Sequence, residues 1–158
     1  MIIILAMNKH ILIILAISTC IFLCESCEKK EELAIQKFLD QNYIQLDSLI
    51  GEWTWIKSNT DGWATLSLTP DTEGYSKKIV FETNGKYLEY INDGLDFQTY
   101  YRIDTVFERS NEKFYTLSYY QDKSQQDIAI DPQPDTIWLY MYDLCSGCIG
   151  PHSYMKNE

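Results

Sequence analysis

The stretch KIVFETNGKYLEYINDGLDFQTYYRI, from Lys78 to Ile103, decides the fold. Its first part reads as a hairpin: strand KIVFE, turn Thr83-Asn84-Gly85-Lys86, strand YLEYI. Asn-Gly is the preferred pair for a two-residue type I′ turn, because both positions need positive φ. A second tight turn follows at Asn92-Asp93-Gly94. Phe97, Thr99, Tyr101 and Ile103 then alternate with Gln98, Tyr100 and Arg102, so one set faces a core and the other faces away from it.

The same period of two extends in both directions. Upstream, GEWTWIK from Gly51 puts Trp53 and Trp55 on one face. Ala64, Leu66 and Leu68 alternate with Thr65, Ser67 and Thr69, the clearest half-buried strand, which Pro70 ends. Downstream, Ser110-Asn111-Glu112-Lys113 is a third turn, Phe114 to Tyr120 and Thr136 to Tyr142 are strands, and His152 to Lys156 is a last one. The polar segment Gln121 to Pro134 holds two prolines and reads as a long loop enclosing one short strand at Asp127 to Ile130. This gives seven to nine strands in sequence. A meander of that length must close or stack to hide its edges. The expected fold is all-β, an antiparallel up-and-down barrel of about eight strands, with a small sandwich as the alternative. Glu31 to Asn42, with acids first and Ile35, Phe38 and Leu39 at helical spacing, reads as a short amphipathic helix or a tether.

Composition narrows the class. At 158 residues and 46% apolar the chain can build one core, which excludes a wholly disordered chain. Thirteen basic against 23 acidic residues give a net charge of −10, with two arginines, so the basic face that nucleic acids require is missing. The N-terminus is an address. Ile11 to Leu23 is uncharged but only 13 residues long, too short to span a bilayer and suited to the apolar region of an export signal. Met7-Asn8-Lys9-His10 supplies the positive region before it, which makes Met7 rather than Met1 the expected start. Ser26 and Cys27 follow, then the charged run Glu28 to Glu32. Cleavage before Cys27 removes one base, Lys9, and one acid, Glu25, so the charge of −10 is kept. The expected organisation is a signal over residues 1–26, a tether over 27–48 and a barrel domain over 49–158.

These residues carry two resemblances. Ser26-Cys27 resembles the lipobox of bacterial lipoproteins, whose cysteine is acylated, and the charged run resembles the tethers of Bacteroidetes-type lipoproteins. Glu25 departs from that motif, and Cys20 is the competing site. Gly51-Glu52-Trp53 resembles the G-x-W opening of lipocalins. The order Gly51-x-Trp53-x-Trp55, Gly74-Tyr75, Lys78-Ile79-x-Phe81-x-x-Asn84-Gly85-x-Tyr87 resembles the lipocalin-like lipoproteins of Bacteroidetes. Asp143, Cys145, His152 and Tyr154 fit the Asp-x-Cys segment and His-x-Tyr strand with which those chains often end. The similarity covers roughly Leu49 to Lys156 and departs at Cys148 and Pro151. It implies a barrel anchored to the bilayer through Cys27, on the periplasmic or surface face of the outer membrane. It implies no particular ligand, since fold does not fix function.

Reactive constellations are few. Cys145-Ser146-Gly147-Cys148 is read as a structural disulfide of an oxidising compartment. A redox dithiol wants a helix N-terminus, and Gly150 and Pro151 follow instead. Zinc bound by Cys145, Cys148 and His152 would need a fourth ligand such as Asp143. No triad motif, phosphate loop or cofactor motif is present, and the expectation is a non-catalytic protein with no metal and no cofactor. The aromatics remain. Trp53, Trp55, Tyr101 and Trp138 are candidates to line a pocket for a small apolar or sugar ligand in the barrel mouth. The alternative is a structural or partner-binding lipoprotein that uses an exposed aromatic and acidic surface.

Overall fold

Alternation along the chain becomes nine strands: β1 (Gly51–Asn59), β2 (Ser67–Leu68), β3 (Lys77–Phe81), β4 (Lys86–Ile91), β5 (Gly94–Arg109), β6 (Glu112–Tyr119), β7 (Gln125–Gln133), β8 (Thr136–Asp143) and β9 (His152–Lys156). They are seen in a computed structural model that describes residues 29–41, 44, 46–59, 67–109, 112–120, 124–133, 136–143 and 151–157. Every neighbouring pair is antiparallel, in the order β2-β1-β3-β4-β5-β6-β7-β8-β9, and β9 pairs back onto β1. Eight strands therefore close an up-and-down barrel. β2 adds two residues against the end of β1, at Ser58↔Leu68 and Asn59↔Ser67. Closure pairs the two edges that an open meander would leave exposed.

Residues 29–39 form helix α1, and the compact unit that carries the sheet begins at Phe38. Within that unit Arg102 holds the segment leading into the barrel. Its Nη1 donates to Phe38 O at 3.0 Å and Gln41 Oε1 at 2.9 Å, and its guanidinium lies 4.5 Å from the centre of the Phe38 ring.

Inward residues fill the barrel. Trp53 lies opposite Ile79 and Trp55 opposite Tyr154, while Phe81 faces Tyr87 and Ile103 faces Leu117. Together with Tyr101, Ile128, Leu139 and Met141 they form one buried cluster. The Phe81 ring stands 5.2 Å from Tyr87 and 4.9 Å from Tyr101, both at steep angles, the geometry that aromatic quadrupoles favour. One end is plugged by the approach to β1. Leu49 is fully buried, its carbonyl accepts the Trp53 indole N–H at 2.8 Å, and Ile44 and Leu46 pack on the same cluster. Lys156 Nζ closes that end, 5.2 Å over the Trp53 ring and donating to Ser48 O at 2.9 Å.

Three local readings change. The Asn84-Gly85 turn is not a two-residue type I′ turn: Gly85 alone has positive φ (80°). The loop has three residues, closed by Glu82 N→Lys86 O at 2.9 Å and Gly85 N→Glu82 O at 3.1 Å. Packing decides this. A two-residue loop would set Phe81 opposite Leu88 and turn Tyr87 out of the core, because a one-residue slip exchanges the faces. The type I′ signature of two positive φ values instead sits at Asn92 (49°) and Asp93 (63°), where Ile91 pairs with Gly94.

Second, the short strand expected at Asp127 to Ile130 within the long loop Gln121 to Pro134 extends in both directions, so that most of that loop is β7. Gln125 to Ala129 pair with β6 and Gln126 to Gln133 with β8. Polar residues are accommodated by partners: Tyr119 Oη donates to Gln126 Oε1 at 3.0 Å, and Thr116 Oγ1 donates to Asp127 Oδ1 at 2.8 Å. Pro132 is tolerated because the β6 ladder ends at Phe114↔Ala129, so the side of the strand it leaves without a donor is not paired there.

Third, Pro70 does more than end a strand. It opens a one-turn helix, α2 (Pro70–Glu73), capped by Thr69, whose side chain accepts from Thr72 N at 3.3 Å, and ended by Gly74 at φ 73°. Of the strand expected over Ala64 to Thr69, Ser67 and Leu68 form β2, and residues 64–66 lie outside those described.

Candidate functional site

The four aromatic candidates separate. Trp53 (0% exposed), Trp55 (3%) and Tyr101 (4%) are core. Their rings occupy the axis where a ligand would have to sit. Trp138 stands on the outer wall, opposite Asp131 on one side and Met155 on the other, and is half-buried. Cys27, Cys145 and Cys148 lie outside the described residues.

The barrel interior also carries polar groups, each with a partner. Glu89 takes an ion pair from Lys77 at 2.7 Å and a hydrogen bond from Tyr87 Oη at 3.0 Å. Burial first, then the neighbouring Tyr119, Glu89 and Tyr154, hold the Tyr87 phenol well above its usual value. Near the ends of β1 and β9, Ser58 Oγ accepts from Trp55 Nε1 at 2.8 Å and lies 2.5 Å from His152 Nδ1. Sequence reasoning missed this hydroxyl–imidazole pair, because 94 residues separate its members and only closure of the barrel joins them. A nucleophile must reach its substrate, and Ser58 is completely buried. The pair ties the closing strands together.

A groove opens on the outside. It measures about 410 Å³ and is lined by Glu112, Lys113, Ala129, Ile130, Asp131, Tyr140 and Tyr142. Register explains it. Ala129 lies between Phe114 on β6 and Tyr140 on β8, all three pointing outward. Its single methyl leaves a trough that the neighbouring rings overhang, so Ala129 itself is only 7% exposed. The walls are stiff: Tyr142 packs on Phe114 at 5.6 Å, and Phe114 stacks on Phe107 at 5.5 Å and 14°.

The electrostatics of the groove are mixed. Burial raises the Tyr140 phenol, and the carboxylates of Asp131 and Glu112 add to the effect. Burial also raises Tyr142, with Glu112 and Tyr140 adding and Arg109 opposing. Both hydroxyls therefore stay protonated donors at neutral pH. Gln133 Nε2 donates to both Asp131 oxygens at 2.9 Å, which orients that carboxylate. Among the described residues, no three His, Cys, Asp or Glu side chains converge as a metal site.

No family profile, curated protein or solved structure matches this chain. The site is defined by its own geometry: a closed eight-stranded barrel with a packed axis and an aromatic, polar-rimmed groove on its outer wall.

Proposed function

We propose that the chain is an exported, lipid-anchored binding module of the cell envelope whose recognition surface is the outer wall of the barrel at β6 to β8. The observation that carries this reading is the contrast between the two faces of the sheet. Inside, Trp53, Tyr154, Phe81, Ile79 and Leu117 each keep under 2% exposure. Outside, the groove over Ala129 has a volume within the range of roughly 300–1,000 Å³ typical of small-molecule sites. Its side chains sit on paired strands, which hold a site more firmly than loops do. The role is non-catalytic. The apolar run Ile11 to Leu23 followed by Ser26-Cys27 supports export and acylation at Cys27 in the manner of lipocalin-like lipoproteins, and two or three acyl chains anchor a domain stably. A Cys145–Cys148 disulfide would pin the segment before β9.

Chemical-shift mapping with a fragment library tests the location. Bound fragments are expected to shift signals of Ala129, Tyr140 and Tyr142. Shifts concentrated on the methyls of Ile103, Leu117 and Ile128 would move the site to the axis and overturn the reading.

A further inference from the structure

The outer-wall groove has a composition that selects among ligand chemistries, and the inference rests on the reading that this groove is the recognition site. Its rim carries charges of both signs. Glu112 and Asp131 press on Tyr140, Lys113 lines the same cavity, and Arg109 acts on Tyr142. A cationic ligand would meet Lys113, and an anionic one would meet Glu112 and Asp131. Either would bury a like-charge contact, which is costly in a partly desolvated site. A neutral ligand rich in hydroxyls meets no such conflict. Each of its hydroxyls can donate to a carboxylate and accept from the lysine ammonium or a tyrosine phenol.

The tyrosine rings supply the remaining element. Tyr140 and Tyr142 are both half-buried, next to the shallow floor that Ala129 leaves. A sugar ring presents just this combination, an apolar C–H face edged by hydroxyls. We infer that the groove over Ala129 binds a neutral saccharide, with Tyr140 packed against a sugar face and Asp131, Glu112 and Lys113 hydrogen-bonded to its hydroxyls. Asp131 is the best positioned of the three, since Gln133 fixes its carboxylate.

The test is calorimetric titration of the full chain in detergent with maltohexaose, cellohexaose and mannohexaose. Spermidine serves as the cationic probe and an oligogalacturonate as the anionic one. At least one neutral hexasaccharide is expected to bind. Tyr140→Ala should weaken that binding about tenfold or more, and Tyr140→Phe, which keeps the ring, should stay within about threefold of the parent. Asp131→Asn should weaken it, and Tyr90→Ala, on a part of the sheet away from the groove, should leave it unchanged. Binding of the charged probes alone, binding of none of the three hexasaccharides, or an affinity indifferent to Tyr140→Ala would each overturn the inference. If fragments still map to Ala129 and Tyr140 while the saccharides fail, the ligand class is wrong and the outer-wall reading stands. If a saccharide binds and shifts the methyls of Ile103 and Leu117, both fail.

Discussion

Trp53 shows how one side chain can hold three parts of the molecule. Its ring is fully buried, its N–H reaches the plug at Leu49, and its face lies under Lys156. Trp53→Ala is expected to cost about 3–5 kcal/mol in a denaturant melt, whereas Lys156→Ala should cost under about 1 kcal/mol, because a partly exposed ammonium gains little from one ring face and one carbonyl. Tyr87 gives a pH signature. Burial above all raises its folded-state pKa, so at high pH the native chain holds a proton that the unfolded chain releases. Its contribution is intact below about pH 10 and is lost as pH climbs through the folded value. Tyr140 and Tyr142 are raised as well and add to the decline, while Lys156, lowered by desolvation, opposes it. Stability measured from about pH 8 to about pH 11 should fall more gently in Tyr87→Phe than in the parent; equal slopes would remove Tyr87 as the cause. The period of two was enough to place Trp53, Trp55 and Tyr101 on one face. It could not say whether that face met a ligand or a core, because filling depends on the summed volumes of eight strands.

At the scale of elements, the strands built from alternating apolar residues were legible and those built from polar ones were not. β5 could be read from Phe97, Thr99, Tyr101 and Ile103. β7 could be read only at its centre, Asp127 to Ile130, because the polar residues on either side look like loop until partners such as Tyr119, which donates to Gln126, are in place. The groove was hidden because Ala129 becomes its floor only once register sets Phe114 and Tyr140 on either side of it. Turn chemistry likewise yielded to packing at Gly85, where keeping Tyr87 in the core lengthened the loop. That position is also the tightest glycine among the described residues. At φ 80°, a Cβ there would lie 2.7 Å from Leu39 Cδ2 and 3.3 Å from Tyr101 O. Gly74, at φ 73°, faces open space. Gly74→Ala is expected to cost about 1 kcal/mol and Gly85→Ala about 2 kcal/mol or more, since only the latter adds a clash to the left-handed backbone cost. Thermal melts of the pair check the order, and equal losses would mean that Leu39 yields freely.

For the whole molecule, closure is the organising fact. β1 pairs with β9 across about 100 residues of chain, so the final ladder is non-local and folding should be slow for the size of the domain. Deleting β9 should expose the edges of β1 and β8 and raise aggregation above that of the parent, read by light scattering. The barrel was legible in advance because consecutive hairpins leave few topologies. The sandwich alternative falls to the β1–β9 pairing, which depends on how shear accumulates over all eight strands. What most separates this barrel from a hollow one is its packed axis, and a crystal under xenon pressure tests that directly, since dry apolar cavities take up the gas. The account predicts no xenon in the space ringed by Trp53, Ile79, Ile103, Leu117 and Leu139. A xenon atom bound there would show an internal cavity and return the binding site to the inside of the barrel.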